Sequence, residues 1–378
     1  MIGGLATLRR ATALAVVRDG LPIHLSPHLS PLRADPGSPP GSATPASTSP
    51  ADPSPLDQLS APALEAALRD TLARAPGLKA VCLAVDLPPG HGAPVAAVRI
   101  GGPCPPALAP RLGIGHTTAT GSVATIVRGG HDLTGRPLAP LDLPALRHFA
   151  LTCGLRDFAV TATGSPVLAD HELQAAAAIA DEVPGARITL SYEYGRAGLR
   201  EREQWAIANA ALCPAASRLA DHVTRLLHGL PLYLARTGDG LVSAHYFRRY
   251  PLTCAEGATT SLSHAQQALD HRTAPTTPGA GRTTPGDASR TTLTPAQCAA
   301  YGATLAVPMA GVERIVRARG TAELDRAVGD AQDEALTRVL SAGAVPGSAR
   351  VSSVAVNPLS YLPDGLFRLR VRAEGATP

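Results

Sequence analysis

Aromatic residues and lysine are scarce in this 378-residue chain, and both shortages limit what it can be. Phe, Trp and Tyr make up 3% of the residues, so we expect a core of Ala, Val and Leu rather than of large rings. Lys79 is the sole lysine. The net charge of +4 is spread along the sequence, and aromatic residues do not interleave with it as stacking platforms. These features argue against nucleic-acid binding.

Long apolar runs and closely spaced cysteines are also lacking. The longest early apolar run, Ala11 to Val17, is too short to cross a bilayer and ends at Arg18 and Asp19. A signal peptide would require a cleavage site of small residues after this run, and no such pattern follows it. The six cysteines lie far apart, which argues against a zinc cluster or a disulfide framework. We therefore predict a cytoplasmic protein with no metal site built from His or Cys and no contact with a membrane.

Two low-complexity segments divide the chain. Residues 26–61 are rich in Pro, Ser and Ala, and residues 273–295 are rich in Thr, Pro and Gly. Such compositions bury too little apolar surface to offset the entropy of ordering, so both segments are predicted to be linkers. The sequence before, between and after them, which is residues 1–25, 62–272 and 296–378, holds the periodic patterns of folded elements.

The spacing of apolar residues predicts alternating helices and strands between the linkers. A helix capped by Asp142 precedes a strand at Phe158 to Thr161. A second helix from about His171 to Asp181 precedes a strand at Arg187 to Ser191. Helix and strand in this alternation imply crossover connections and a parallel or mixed sheet covered by helices.

Four local predictions concern the ends and breaks of elements. Ser60 is expected to cap a helix after the first linker, and Thr321 to cap a long amphipathic helix near the C-terminus. Pro214 is expected to break or restart a helix that begins near Trp205. The stretch "PLYLARTGDGLVSAHYF" is expected to form strand, turn and strand.

One window, "ITLSYEYGRAGLREREQWAIANAAL", concentrates charge and contains the only tryptophan. A strand runs directly into a loop there, so Glu193 and Arg196 are predicted to lie near its carboxyl end, where open α/β sheets place ligands. A Glu and an Arg at such a position can bind a polar substrate or polarise a carbonyl. Alternatively, Glu201 and Glu203 favour the positive end of a helix dipole while the arginines are solvated. Both interpretations stay open on physical grounds.

The same window resembles a pattern typical of the hydantoinase/oxoprolinase family. Other segments follow in the family's order, among them "APVAAVRIGGPC", "GGHDLTGRPLAPLDLPALRHFA" and "VAVNPLSYLPDGLFRLRVRAEG". The resemblance covers most of residues 56–375. It implies an α/β fold of mixed sheets covered by helices, a reduced form of the two-lobe actin-like ATPase (ribonuclease H-like) architecture. Residues 1–25 would be a remnant hairpin, 62–272 an N-terminal-like domain and 296–378 part of the second lobe.

The resemblance also implies a function. Members of the family open a cyclic amide, such as a hydantoin or 5-oxoproline, by ATP-dependent hydrolysis, with ATP and magnesium as cofactors. It assigns no catalytic residue, but it places Glu193 and Arg196 against the substrate, with Glu201 and Arg202 as support and the turn at Asp239 and Gly240 near the cleft. The substrate-site residues that it implies are thus Glu193, Arg196, Glu201, Arg202, Asp239 and Gly240.

Both phosphate-binding loops typical of the family are absent from the sequence. The start of the chain reads "MIGGLATLRRATALAVVRDG" without the acidic loop, and the second loop is replaced by the linker at 273–295. Without glycine-rich nests and an aspartate for magnesium, the sequence offers nothing to neutralise a triphosphate. The alternative function is therefore that of a degenerate homologue, a binding or scaffold subunit beside a partner amidohydrolase subunit or in a homo-oligomer.

Overall fold

A computed structural model describes residues 1–8, 11–18, 21–25, 65, 68–69, 72–73, 75–87, 92–114, 117–118, 121–195, 198–273, 293–360 and 365–378. Ser60, the first linker, most of the second linker and Arg196 lie outside these residues, and of the helix expected after Ser60 the described residues 65, 68–69 and 72–73 are helical. No helix in the described part of the chain is long and apolar enough to cross a membrane.

Helices and strands alternate over much of the chain, which confirms the α/β class. The strands are β1 (Ile2–Leu8), β2 (Ala11–Arg18), β3 (Leu21–Leu25), β4 (Ala80–Val85), β5 (Ala96–Ile100), β6 (Gly113–Ile114), β7 (Thr117–Thr118), β8 (Val123–Val127), β9 (Asp157–Ala162), β10 (Arg187–Leu190), β11 (Leu232–Ala235), β12 (Leu241–Ser243), β13 (Met309–Arg317), β14 (Arg350–Pro358) and β15 (Leu366–Glu374). The α-helices are α1 (Leu143–Thr152), α2 (Asp170–Glu182), α3 (Leu199–Leu226), α4 (Ala244–Arg249), α5 (Gly257–Thr273), α6 (Pro295–Leu305) and α7 (Thr321–Ser341).

The chain forms two compact units that interleave along the sequence. Unit 1 comprises Met1–Pro88, Asp221–Leu241 and Cys254–Ala306, and unit 2 comprises Pro89–Ala220, Val242–Thr253 and Val307–Pro378. Each unit is thus assembled from three separate segments of the chain. The domains predicted from the positions of the linkers are, by contrast, continuous stretches of sequence. The difference arises because strands that are far apart in the sequence pair in one sheet.

Unit 1 is built on a six-stranded sheet in the order β12-β11-β4-β1-β2-β3. The first three strands pair antiparallel, and β4 and β11 then continue the sheet in parallel. An antiparallel meander extended by parallel strands is the arrangement expected of a ribonuclease H-like unit, and it incorporates the N-terminal hairpin. Alanines of α6 pack against Ala6, Ala15 and Ala84 of the sheet, so the core of small side chains predicted from composition is confirmed.

Unit 2 contains a four-stranded parallel sheet in the order β10-β9-β5-β8. Helices α1 and α2 cover one face through a core that includes Leu146, Phe158 and Ile179. The first half of α3 covers the other face through Ile207 and neighbouring alanines. Both faces are therefore buried, as parallel sheets require. The side chain of Asp142 accepts a hydrogen bond from the N–H of Ala145, as the predicted cap of α1 should.

A second sheet of unit 2 is antiparallel, in the order β13-β15-β14. Helix α7 packs on it through Ala331, Ala335 and Val339, which contact Val312 and Val371 among others. Strand β14 forms one edge of this sheet, and nearly all of its residues are exposed.

Three local predictions are wrong. Helix α3 continues through Pro214, because buried alanines on either side of the proline hold the helix in place. Thr321 is the first residue of α7, and its N-cap is Gly320, which has no side chain to cap with. The strand predicted to end in "AHYF" stops at Ser243, because the Ser243 hydroxyl accepts a hydrogen bond from the N–H of Tyr246 and starts helix α4.

Candidate functional site

The turn after β10 lies at the carboxyl end of the parallel sheet of unit 2. The strand ends at Leu190, and Ser191–Tyr194 form one turn of 3-10 helix. Gly195 follows with φ of 62°, and a Cβ at this position would come within 2.3 Å of the Cβ of Glu313. Glycine is required there both for the left-handed conformation and for the close approach of β13. Glu193 therefore sits at a strand end, where its sequence position predicts it.

Two arginines from other elements of unit 2 face the Glu193 carboxylate. Its Oε2 lies 3.3 Å from Nη2 of Arg338 on α7, and its Oε1 lies 4.0 Å from Nη2 of Arg249 on α4. The Glu193 side chain is only 13% exposed, but that of Arg249 is 58% exposed. Burial works to lower the pKa of Arg338, whereas the carboxylates of Glu193 and Glu334 keep it raised. One arginine is thus fixed, and the other faces solvent.

Two tyrosines, Tyr192 and Tyr250, complete the surroundings of Glu193. Burial, followed by the negative charge of Glu193, raises the pKa of Tyr192 to about 12. The same two causes raise the pKa of Tyr250. Both phenols therefore stay protonated at neutral pH and act as donors. We call Glu193 with Arg249, Arg338, Tyr192 and Tyr250 the Glu193 cluster.

Further aromatic rings surround this cluster. The ring of Tyr246 packs 4.8 Å from that of Tyr250, and the ring of Tyr194 lies 5.9 Å from that of Trp205. Four of the seven tyrosines and the only tryptophan of an aromatic-poor chain thus gather at one place. Aromatic rings supply large, rigid contact area, which binding sites use.

A buried polar network supports the turn that carries Glu193. Arg202 is 1% exposed, and it donates from Nη2 to the carbonyl of Ala162 at 2.9 Å and from Nε to Ser191 Oγ at 3.4 Å. Glu172 of α2 accepts from the N–H of Ala162, from Ser191 Oγ and from the N–H of Tyr192. Burial raises the pKa of Glu172 and lowers that of Arg202, and the charge of Glu172 opposes the second effect. The network joins the end of β9 to the turn that carries Glu193.

The six predicted substrate-site residues have different positions. Arg202 is buried behind the turn that carries Glu193 and donates to Ser191 Oγ. Glu201 is exposed at the start of α3. Asp239 and Gly240 belong to unit 1, in the turn between β11 and β12, where Asp239 Oδ1 lies 3.8 Å from Nε2 of His264 and Gly240 has φ of 86°. Arg196 lies outside the described residues.

Sequence reasoning missed most partners of Glu193. Arg249 and Tyr250 belong to "SAHYFRRYP", where three aromatic residues adjoin two arginines in an aromatic-poor chain, and that concentration was the available signal. The sequence gives no such signal for Arg338, because an arginine on one face of a helix is common. Arg202 is buried rather than solvated, and Glu203 is buried with Arg99 of β5, whose Nε donates to its Oε1 at 2.7 Å.

Comparison with known proteins identifies relatives by fold alone. No protein-family model and no curated protein matches the chain. Its fold is similar to that of nucleotide-free acetone carboxylase, an enzyme of ATP-dependent acetone carboxylation, with a TM-score of 0.52 and 11% identity. It is also similar to an ATP-dependent caprolactamase from Pseudomonas jessenii, with a TM-score of 0.51 and 14% identity.

Each comparison covers 72% of this chain but only 40% of the neighbour, so the chain spans well under half of the length of these enzymes. Both neighbours belong to the hydantoinase/oxoprolinase family. The recognised sequence resemblance is therefore confirmed at the level of the fold, in a shortened form.

The start of α5 does not fit the phosphates of ATP, the cofactor that the family resemblance implies together with magnesium. At the carboxyl end of β4, Asp86 Oδ1 accepts from the N–H groups of Ala258 and Thr259, and its Oδ2 accepts from the Thr259 hydroxyl. The positive end of α5 is thus occupied by a carboxylate, which would repel a phosphate. Among the described residues, no group of three or more His, Cys, Asp or Glu side chains that could hold a metal ion is found.

Proposed function

We propose that this chain is a hydantoinase/oxoprolinase-like protein that recognises a cyclic amide at the Glu193 cluster, as its part in an ATP-dependent ring opening. The supporting observation is that the Glu193 carboxylate and the half-exposed Arg249 guanidinium lie side by side at the end of β10. The carboxylate accepts hydrogen bonds, and the guanidinium donates them. They are placed where α/β sheets bind ligands.

The shape of a cyclic amide fits this pair. An ordinary amide is trans and points its N–H and C=O in opposite directions. A small ring forces the amide to be cis, so its N–H and C=O point to the same side. Glu193 Oε1 would accept from the N–H while Arg249 donates to the C=O, and the protonated phenol of Tyr250 lies in the same cluster. The cluster therefore favours a cyclic amide over a linear one.

ATP and magnesium enter this proposal through a partner. Because the Asp86 carboxylate occupies the start of α5, we propose that phosphate chemistry is supplied from elsewhere, by a partner amidohydrolase subunit or a further copy in a homo-oligomer. The proposed location is the cytoplasm, where ATP is abundant. No catalytic residue is assigned to this chain.

We expect the purified chain to bind hydantoin, 5-oxoproline or caprolactam, and not N-methylacetamide, whose amide is trans. Glu193→Gln should weaken binding about tenfold or more, because one charge-assisted hydrogen bond is lost. Isothermal titration calorimetry measures both effects. A matched control is Asp325→Asn on the exposed face of α7, which changes the charge equally and should leave the affinity unchanged.

Two results would contradict the proposal. Equal binding of N-methylacetamide and the cyclic amides would show that the cluster does not select a cis amide. Full affinity in Glu193→Gln would show that the carboxylate is not the acceptor. In a separate titration with Mg·ATP we expect no binding by the isolated chain, and tight binding would overturn the assignment of phosphate chemistry to a partner.

A second function, that of a scaffold subunit, is favoured by strand β14. This nine-residue strand lies at the edge of its sheet with its Val354 and Val356 side chains 41% and 37% exposed. Between Val351 and Asn357 it has no charged residue and no proline, which are the usual protections of an open edge. A second copy of this chain fits the edge, because two identical strands can pair antiparallel about a twofold axis.

We expect Val354→Lys to raise the dissociation constant of a dimer about tenfold or more, because a symmetric pairing brings the two new charges close together. Sedimentation equilibrium measures this constant. The control is Val307→Lys, which adds the same charge at a valine that is 38% exposed and lies outside the strands. A monomeric parent chain, or equal weakening by both variants, would rule out pairing through β14.

A further inference from the structure

A cavity of about 640 Å³ lies in unit 2 beside β10, the edge strand of the parallel sheet. Residues of α2, β10, α3 and α4 form its walls. Small-molecule sites commonly have volumes of about 300 to 1,000 Å³. Glu193 does not line the cavity, whereas Arg249 borders both it and the Glu193 cluster. The cavity is therefore a neighbouring space rather than the place proposed above for a cyclic amide.

Six of the thirteen residues that line the cavity have small or branched apolar side chains. They are Ala176, Ala177, Ala180, Ala186, Ile188 and Leu190. Three of the alanines follow one another on one side of α2, and their small size leaves room beside β10. Cys213 lies on the same wall, and burial raises the pKa of its thiol to about 12, so it stays neutral and unreactive.

The polar border of the cavity is basic. Besides Thr189 and Ser217 it contains Arg187, Arg248, Arg249 and His245, and none of the described residues that line the cavity is acidic. Arg187 donates from Nε and Nη2 to the two oxygens of Asp157, at 2.6 and 2.7 Å, so its charge is compensated. The Nη2 of Arg249 lies 4.0 Å from its nearest carboxylate, beyond hydrogen-bond distance, which leaves it able to bind an anion.

We propose that this cavity binds an amphiphilic carboxylate, a small acid with an unbranched or branched hydrocarbon body. The hydrocarbon would pack on the alanines of α2 and on Ile188, where apolar surface is removed from water. The carboxylate would bind the planar guanidinium of Arg249, which matches its two oxygens. The backbone of Arg249 is held in place for this, since its carbonyl accepts a hydrogen bond from Asn209 Nδ2 at 2.8 Å.

Octanoate is a suitable probe, and octylamine is its control with the same hydrocarbon and the opposite charge. Calorimetric titration of the full chain should show saturable binding of octanoate and none of octylamine, because the basic border repels an ammonium group. Equal binding of octanoate and octylamine would show that only apolar contacts hold the ligand, and it would overturn the proposal. Absence of octanoate binding at millimolar concentration would also overturn it.

Two pairs of variants locate the ligand. Ala180→Leu fills the cavity from an exposed position of α2 and should weaken octanoate binding about tenfold or more, whereas Gln174→Leu, at an exposed position of the same helix that does not line the cavity, should not. Arg249→Gln should weaken binding similarly. Glu193→Gln removes a negative charge 4.0 Å from the Arg249 guanidinium, so it should strengthen octanoate binding while it weakens binding of the cyclic amide, which separates the two sites. Unchanged binding in Ala180→Leu would place the ligand elsewhere.

Discussion

Replacing Glu203 with glutamine should lower the free energy of unfolding by about 3 to 5 kcal/mol. Glu203 and Arg99 are both less than 5% exposed, and the guanidinium binds the carboxylate through two parallel hydrogen bonds. Glutamine removes the charge but not its partner, so Arg99 would stay buried without compensation. Urea denaturation followed by circular dichroism measures the change.

The pair also matters for the candidate site. Arg99 belongs to β5, an inner strand of the sheet, and Glu203 to the first turns of α3, so their contact fixes the start of that helix against the sheet. Arg202, the preceding residue, reaches the turn that carries Glu193. We therefore expect Glu203→Gln to weaken binding of a cyclic amide as well.

Two comparisons test the cause of this destabilisation. Glu182→Gln breaks the partly exposed pair of Arg147 and Glu182 and should cost at most about 1 kcal/mol. A double variant, Arg99→Met with Glu203→Leu, removes both charges and should recover most of the stability lost in Glu203→Gln. If the double variant is as unstable as the single one, packing and not the unpaired charge is responsible.

Local patterns predict much of the fold but only part of the candidate site. Apolar spacing and capping residues identify α1, α2 and the strands that follow them, because these signals act within a few residues. The position of Glu193 follows from the same signals, since it comes directly after a strand. The prediction of an actin-like α/β fold depends on the family resemblance, and the similarity to the two solved structures confirms this fold.

The partners of Glu193 and Glu203 could not be predicted because they are far away in the sequence. Arg99 is 104 residues from Glu203, and Arg338 approaches Glu193 only after α7 has packed on the second sheet. The error at Pro214 has a related cause. Proline removes one hydrogen bond locally, but burial of the alanines around it outweighs that loss.

Replacing Gly302 with alanine should lower the stability of unit 1 by about 3 kcal/mol or more. Gly302 lies in α6 where that helix crosses α5, and a Cβ there would come within 1.8 Å of the carbonyl oxygen of Ser261. The obstructing atom belongs to a helix backbone, so it cannot move aside as a flexible side chain would. The two helices must separate, and the core of small side chains between α6 and the sheet must open with them.

The same substitution at Gly329 is the matched control. Gly329 lies in α7, nothing is within 4 Å of the position of its Cβ, and alanine there should raise stability by about 0.5 to 1 kcal/mol through its higher helix propensity. Thermal melting of both variants by circular dichroism compares the two effects. Because helix propensity favours alanine at both positions, opposite signs can arise only from the close approach of α5 and α6. Stabilisation of the chain by Gly302→Ala would show that these helices do not touch there.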